Sequence, residues 1–140
     1  MKLAPNWFLH ELVHPDILDR IGDRAADFLN PNLAPTLQSI RDKFGVMVVN
    51  GMYSGKLFTS SGLRLPHGHV GAMLSSHKFG CAADCKFMGV KPIDVQSYII
   101  NNQDEFPYIS RMESALVTKT WLHIETQTEK REGSIHVFNP

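Results

Sequence analysis

The apolar positions of this chain change period several times, and each change marks an element. Between Pro35 and Phe44 the residues Leu37, Ile40 and Phe44 fall at three- and four-residue steps, the spacing of one helix face. Pro35 suits a first helical turn and Gly45 can end the helix. The β-branched run Val46-Met47-Val48-Val49 then reads as a buried strand. Upstream, Trp7 to Leu12 reads as a short apolar helix ending near His14-Pro15, and Met52 to Pro66, rich in Gly and Ser, as loop with irregular strand. Ala82 to Phe87 reads as a central strand. Pro92 to Asn102 is expected to be a helix, with Asp94 as a candidate N-cap and Val95, Tyr98 and Ile99 on one face. Tyr108 to Glu113, Thr118 to Thr126 and Ser134 to Phe138 complete the strands. The expected fold class is α+β: a mainly antiparallel sheet with helices packed on one face.

Composition narrows the classes open to such a fold. A chain of 140 residues suits one domain spanning residues 1–140 with one core. Its 43% hydrophobic and 20% charged residues are an ordinary globular balance. The formal net charge is zero, which removes the main reason to expect a nucleic-acid partner, since phosphate binding needs a basic surface. No apolar run approaches the ~20 residues of a membrane span. The first residues, Met1 to Trp7, carry no long apolar segment of the secretory kind, so cytoplasmic synthesis without a leader is expected. Cys81 and Cys85 would lie ~13 Å apart on an extended strand, too far for a disulfide. Two buried free thiols in a reducing compartment are expected, and a Cys-Cys zinc site lacks a second cysteine pair.

The chemistry concentrates in Ser75-Ser76-His77-Lys78-Phe79-Gly80-Cys81-Ala82-Ala83-Asp84. His77 and Asp84 stand seven positions apart, and His123 follows in Trp121-Leu122-His123-Ile124-Glu125. Two imidazoles and one carboxylate make the protein ligand set of a zinc ion with an open fourth position. Gly80 lets the backbone bend between the first two, and Ala82 and Ala83 leave room for other segments to approach. Period-two alternation puts Trp121, His123 and Glu125 on one strand face.

The pattern S-x-H-x-x-G-x-A-x-D, met by Ser75, His77, Gly80, Ala82 and Asp84, resembles the motif of the zinc D-Ala-D-Ala carboxypeptidase and dipeptidase family, which includes phage L-Ala-D-Glu endolysins. The hedgehog signalling domains share that family's fold and metal site. Ser61-Gly62-Leu63-Arg64 resembles the family's S-G-Y-R segment, and Trp121 to Glu125 its W-x-H-x-D ending; the likeness runs from about Leu33 to Thr126. It implies a hedgehog/DD-peptidase-like fold with His77, Asp84 and His123 as Zn2+ ligands. It also implies Arg64 as a substrate-binding residue, a task suited to a planar, charged fork, and Ser75 as a local support of the metal loop.

At the general base the sequence departs from that pattern. Many relatives carry an acid three residues before the last histidine, and Thr120, which stands there, cannot take a proton from water. Glu113, in the strand preceding His123, is the first alternative, since hedgehog-like relatives also place a glutamate in that segment; Glu125 is the second, and no base at all the third. Trp121 is either a wall of the substrate groove or a core residue. His67 and His69 could line the cleft or donate to a transition state, and are otherwise loop residues. The function the resemblance implies is zinc-dependent hydrolysis of an amide bond in peptidoglycan stem peptides, as carboxypeptidase or endopeptidase. A phage lysin acting on the cell wall would fit. The alternative is a catalytically inactive zinc-containing binding module or virion component.

Overall fold

The computed structural model describes residues 1–68 and 70–140; the reading of His69 falls outside them. The chain opens with β1 (Lys2–Ala4) and β2 (Trp7–Phe8), an antiparallel pair, followed by a 3₁₀ helix at Leu9–Glu11. This corrects the expected helix from Trp7 to Leu12. Pairing with β1 takes Trp7 and Phe8 into a strand and leaves only Leu9–Glu11 for a helical turn. Trp7 is instead fully buried in the main core, and the Glu11 carboxylate accepts the Phe8 N–H at 2.8 Å. The first α-helix begins where the helix was expected to end. In α1 (Pro15–Ile21), Pro15 takes the first position and His14 Nδ1 accepts the Asp16 N–H at 3.2 Å.

Helix α2 (Leu33–Phe44) starts two residues before Pro35 and stops at Gly45, whose φ of 86° lets its N–H return to the Arg41 carbonyl. Next come β3 (Met47–Val48), the hairpin β4 (Gly51–Tyr53) and β5 (Lys56–Phe58), and β6 (Ala82–Phe87). Helix α3 (Pro92–Asn101) follows. Pro92 occupies its first position, so Lys91 is the N-cap and Asp94 sits inside the first turn, where its charge suits the helix dipole but caps nothing. The last strands are β7 (Ile109–Glu113), β8 (Leu122–Thr126) and β9 (His136–Phe138).

The fold is α+β, and its main sheet has five strands in the order β3-β6-β8-β7-β9. The first three pairings are antiparallel; β9 runs parallel to β7, so the sheet is mixed. The connection from β8 to β9 reverses direction and crosses to the far edge of β7. Arg131 pins it, donating to the carbonyls of Phe106 at 2.9 Å and Ile109 at 2.8 Å.

Alternation along the central strands divides core from site. Ala83, Cys85 and Phe87 of β6, with Leu122 and Ile124 of β8, join Leu37 and Ile40 of α2 and Val95 and Ile99 of α3 in one buried cluster. Each fully buried Leu or Ile there contributes ~1.5–3 kcal/mol. The intervening residues Asp84, His123 and Glu125 are turned to the opposite face. A smaller cluster of Leu9, Val13, Ile17, Ala25 and Leu63 anchors the segment that crosses the edge of that face. Both cysteines are free thiols, but only Cys85 is buried; Cys81, before β6, is half-buried. No helix among the described residues is long and apolar enough to cross a membrane.

Candidate metal centre

Strand register places the first two polar groups. Asp84 on β6 and His123 on β8 are direct partners, one step along from Ala83 and Ile124. Their side chains emerge side by side, with Asp84 Oδ1 2.8 Å from His123 Nδ1. His77 arrives from above, on the 3₁₀ helix Ser76–Phe79 that leads into β6. Gly80 ends that helix in the left-handed region (φ 71°), and a side chain there would collide with the Phe28 carbonyl. His77 Nε2 then lies 3.2 Å from Asp84 Oδ1 and 3.2 Å from His123 Nδ1.

The three side chains therefore converge, and the chain holds each ring so that one nitrogen points inward. His77 Nδ1 lies 3.1 Å from the Gly62 carbonyl, an acceptor that requires this nitrogen to carry the proton and leaves Nε2 free. Gly62 is close-packed, since a Cβ would strike the Leu12 carbonyl. His123 Nε2 lies 3.0 Å from Glu125 Oε1, which holds the outer proton, so Nδ1, facing Asp84, is the nitrogen that could reach a metal once its own proton leaves. Zinc bonds of about 2.0–2.1 Å at tetrahedral angles put neighbouring donors about 3.3 Å apart. Both His77 separations meet that spacing. The Asp84–His123 pair is half an ångström tighter, a direct hydrogen bond across the position an ion would take. His77 and His123 are buried and Asp84 half-buried. The group could hold a metal ion, and its imidazole and carboxylate donors suit zinc.

Charge in the cluster follows from these contacts. Burial works to raise the Asp84 carboxyl, but hydrogen bonds from His123 and His77, and their charge, outweigh it and hold it well below the ordinary carboxylate range. Burial opposes charge on His123, yet hydrogen bonding with Asp84 and Glu125 raises it to about 9. In the metal-free protein a proton on His123 thus occupies the gap between the donors.

The cluster forms the floor of an open cleft of about 670 Å³, a volume typical of small-ligand sites. Arg64, Glu113, Trp121 and Glu125 all line it. Arg64 is half-buried, donating from Nε to the Ser60 carbonyl at 2.6 Å and from Nη2 to Asp84 Oδ2 at 3.4 Å. Trp121 lies just outside β8, over a third exposed, so it is a wall of the cleft and not a core residue. Glu113, half-buried at the end of β7, is close enough for its charge to act on both His123 and Arg64. Among the described residues its carboxylate takes no hydrogen bond or ion pair. Thr120 and His67 are exposed, and neither is among the residues that line the cleft.

Three participants escaped the sequence reading. Ser76 supports the centre with its side chain, donating to Glu125 Oε1 at 3.0 Å. Arg111 Nη1 lies 3.5 Å from Glu125 Oε2, and its guanidinium rests 4.1 Å from the Phe138 ring centroid. Phe138 in turn meets His123 edge-on. The period-two spacing of Arg111 and Glu113 on β7 is the one signal that could have found Arg111; Ser76 and Phe138 carry none. Comparison with models of known protein families, with curated proteins and with solved structures finds no match to this chain.

Proposed function

We propose that this chain is a zinc-dependent amide hydrolase acting on peptidoglycan stem peptides, of the hedgehog/DD-peptidase-like type that its motifs resemble. One observation carries the reading: His77, Asp84 and His123 converge on the floor of an open cleft that Glu113 also lines, its carboxylate without a partner among the described residues. When bound, zinc supplies Lewis-acid polarisation and a pKa of ~7 for the water in its open position.

The chain's own groups divide the remaining work. Glu113 is the general base, taking a proton from the attacking water and returning it to the leaving amine. Its carboxylate is free for this, whereas the oxygens of Glu125 are already engaged by His123, Ser76 and Arg111. Arg64, anchored by Ser60 and Asp84, presents a fixed charge for a substrate carbonyl or carboxylate. Trp121, Leu74 and Val117 give the cleft an apolar wall that excludes water from a bound peptide.

The test is digestion of purified peptidoglycan by the zinc-loaded protein, with and without chelator, followed by mass analysis of the fragments. Chelator-sensitive release of peptides or amino acids supports the proposal, and the fragment masses tell endopeptidase from carboxypeptidase. A second reading, a non-hydrolytic zinc module, is favoured by the position of Thr120, which leaves the cleft without the acid many relatives carry. Tight zinc binding with no cleavage of any wall fragment selects it.

A further inference from the structure

Among the described residues, Glu125 is the carboxylate against the cluster to which the proposed hydrolysis gives neither metal nor proton to hold. We propose that Glu125 is a positioning residue: it holds the outer N–H of His123 and so orients the imidazole toward the metal. This rests on the zinc reading and adds to it a role the sequence left open.

Glu125 follows His123 by two residues on the same face of β8, and it reaches Nε2, the far edge of the ring from the donor Nδ1. The imidazole therefore lies between Glu125 and the converging donors. A base must have an oxygen within hydrogen-bond reach of the water it activates, and both oxygens of this carboxylate are already engaged, by His123, Ser76 and Arg111. A carboxylate accepting the outer N–H of a metal-bound histidine fixes both tautomer and ring angle.

Its own orientation is fixed from two sides. Ala82 is the register partner of Glu125 across β6, and its small side chain leaves room for Ser76 to reach over and donate to Oε1. Arg111 on β7 approaches Oε2 and is itself held against Phe138 of β9. The parallel pairing of β9 on β7, with Arg111 opposite His136 and Glu113 opposite Phe138, puts that ring in place. The outer strand thus stabilises a ligand two strands away.

The experiment compares wild type with Glu125→Gln, Glu125→Ala and Ser76→Ala. Zinc affinity is measured by chelator competition, the cobalt(II)-substituted spectrum is recorded, and turnover on peptidoglycan is measured at saturating zinc. Gln keeps an acceptor for the His123 N–H but loses the charge, so a loss of about tenfold in zinc affinity with a wild-type cobalt spectrum is expected; Ala loses both, with a loss of up to ~100-fold and altered cobalt bands. Ser76→Ala, which touches no ligand, should weaken zinc binding several-fold, and it keeps the test open should an Glu125 variant fold poorly. Turnover of Glu125→Gln at saturating zinc should stay within about tenfold of wild type, well short of the ~10²–10⁴ expected for a lost base. Zinc affinity unchanged in Glu125→Ala, or a base-sized loss of turnover in Glu125→Gln with affinity intact, overturns the assignment. A wild-type chain that takes up no zinc fails earlier and separately, in the first titration, and contradicts the metal reading itself.

Discussion

Asp84 Oδ1 lies 2.8 Å from His123 Nδ1, and the two residues are register partners on neighbouring antiparallel strands. In the metal-free protein this contact is a proton's place. The folded His123 value of about 9 exceeds the ordinary ~6.5. Protonation of His123 therefore stabilises the metal-free fold. That contribution is complete below about pH 6.5 and is lost as pH rises through about 9. Asp84 is held low, so its contribution is present above roughly pH 4 and lost as pH falls further. Metal-free thermal stability should thus be greatest between roughly pH 4 and 6.5. Zinc must displace the His123 proton, so its affinity should rise with pH between about 6 and 9, with about one proton released per ion. Thermal melts with and without zinc across that range check this: the zinc-induced rise in Tm should grow with pH, and a rise that shrinks with pH contradicts it.

His77→Ala removes one of three donors and leaves the strand pair intact. Zinc affinity should fall by more than the roughly 100-fold that loss of an outer partner produces, and hydrolysis should disappear with it. The far-UV spectrum and the fold should persist, because His77 sits on a 3₁₀ turn outside the main apolar cluster. Full activity in this variant would sink the ligand assignment.

Glu113→Gln preserves shape and removes the base. Zinc binding should remain within a few-fold of wild type while kcat drops by ~10²–10⁴. Wall-fragment release at saturating zinc measures it, and intact turnover would mean that another group takes the proton.

Gly80→Ala places a Cβ against the Phe28 carbonyl at a left-handed position. The conformational cost alone is ~1–2 kcal/mol, and the collision adds to it. Urea or thermal unfolding should show a loss of at least that size. Zinc affinity should fall too, since the turn carries His77 toward the other ligands. Unchanged stability would show that the turn relaxes freely.

How much of this was legible in the sequence depended on the range of each interaction. The faces of β6 and β8 follow from period-two alternation, so His123 and Glu125 emerging together was readable, as was Gly80 as the bend between His77 and Asp84. Helix α2 was readable because Leu37, Ile40 and Phe44 repeat at helical steps. Trp7 to Leu12 misled because its apolar residues serve two masters, a strand pair and the core, over too few positions for a period to show. The parallel seating of β9 could not be read from Ser134 to Phe138, because the crossing is decided by Arg131 and the carbonyls it meets more than twenty residues away. For the same reason Arg111, Ser76 and Phe138 stayed hidden: each acts on the site through a partner brought close only by the tertiary fold.

The most direct measurement of the central claim is a calorimetric zinc titration of the chelator-stripped protein, run beside His77→Ala and Asp84→Asn. The account predicts one tightly bound zinc per wild-type chain, with proton release, and a loss of that binding in both variants. No saturable zinc uptake by the wild type, or uptake that both variants retain, would contradict it.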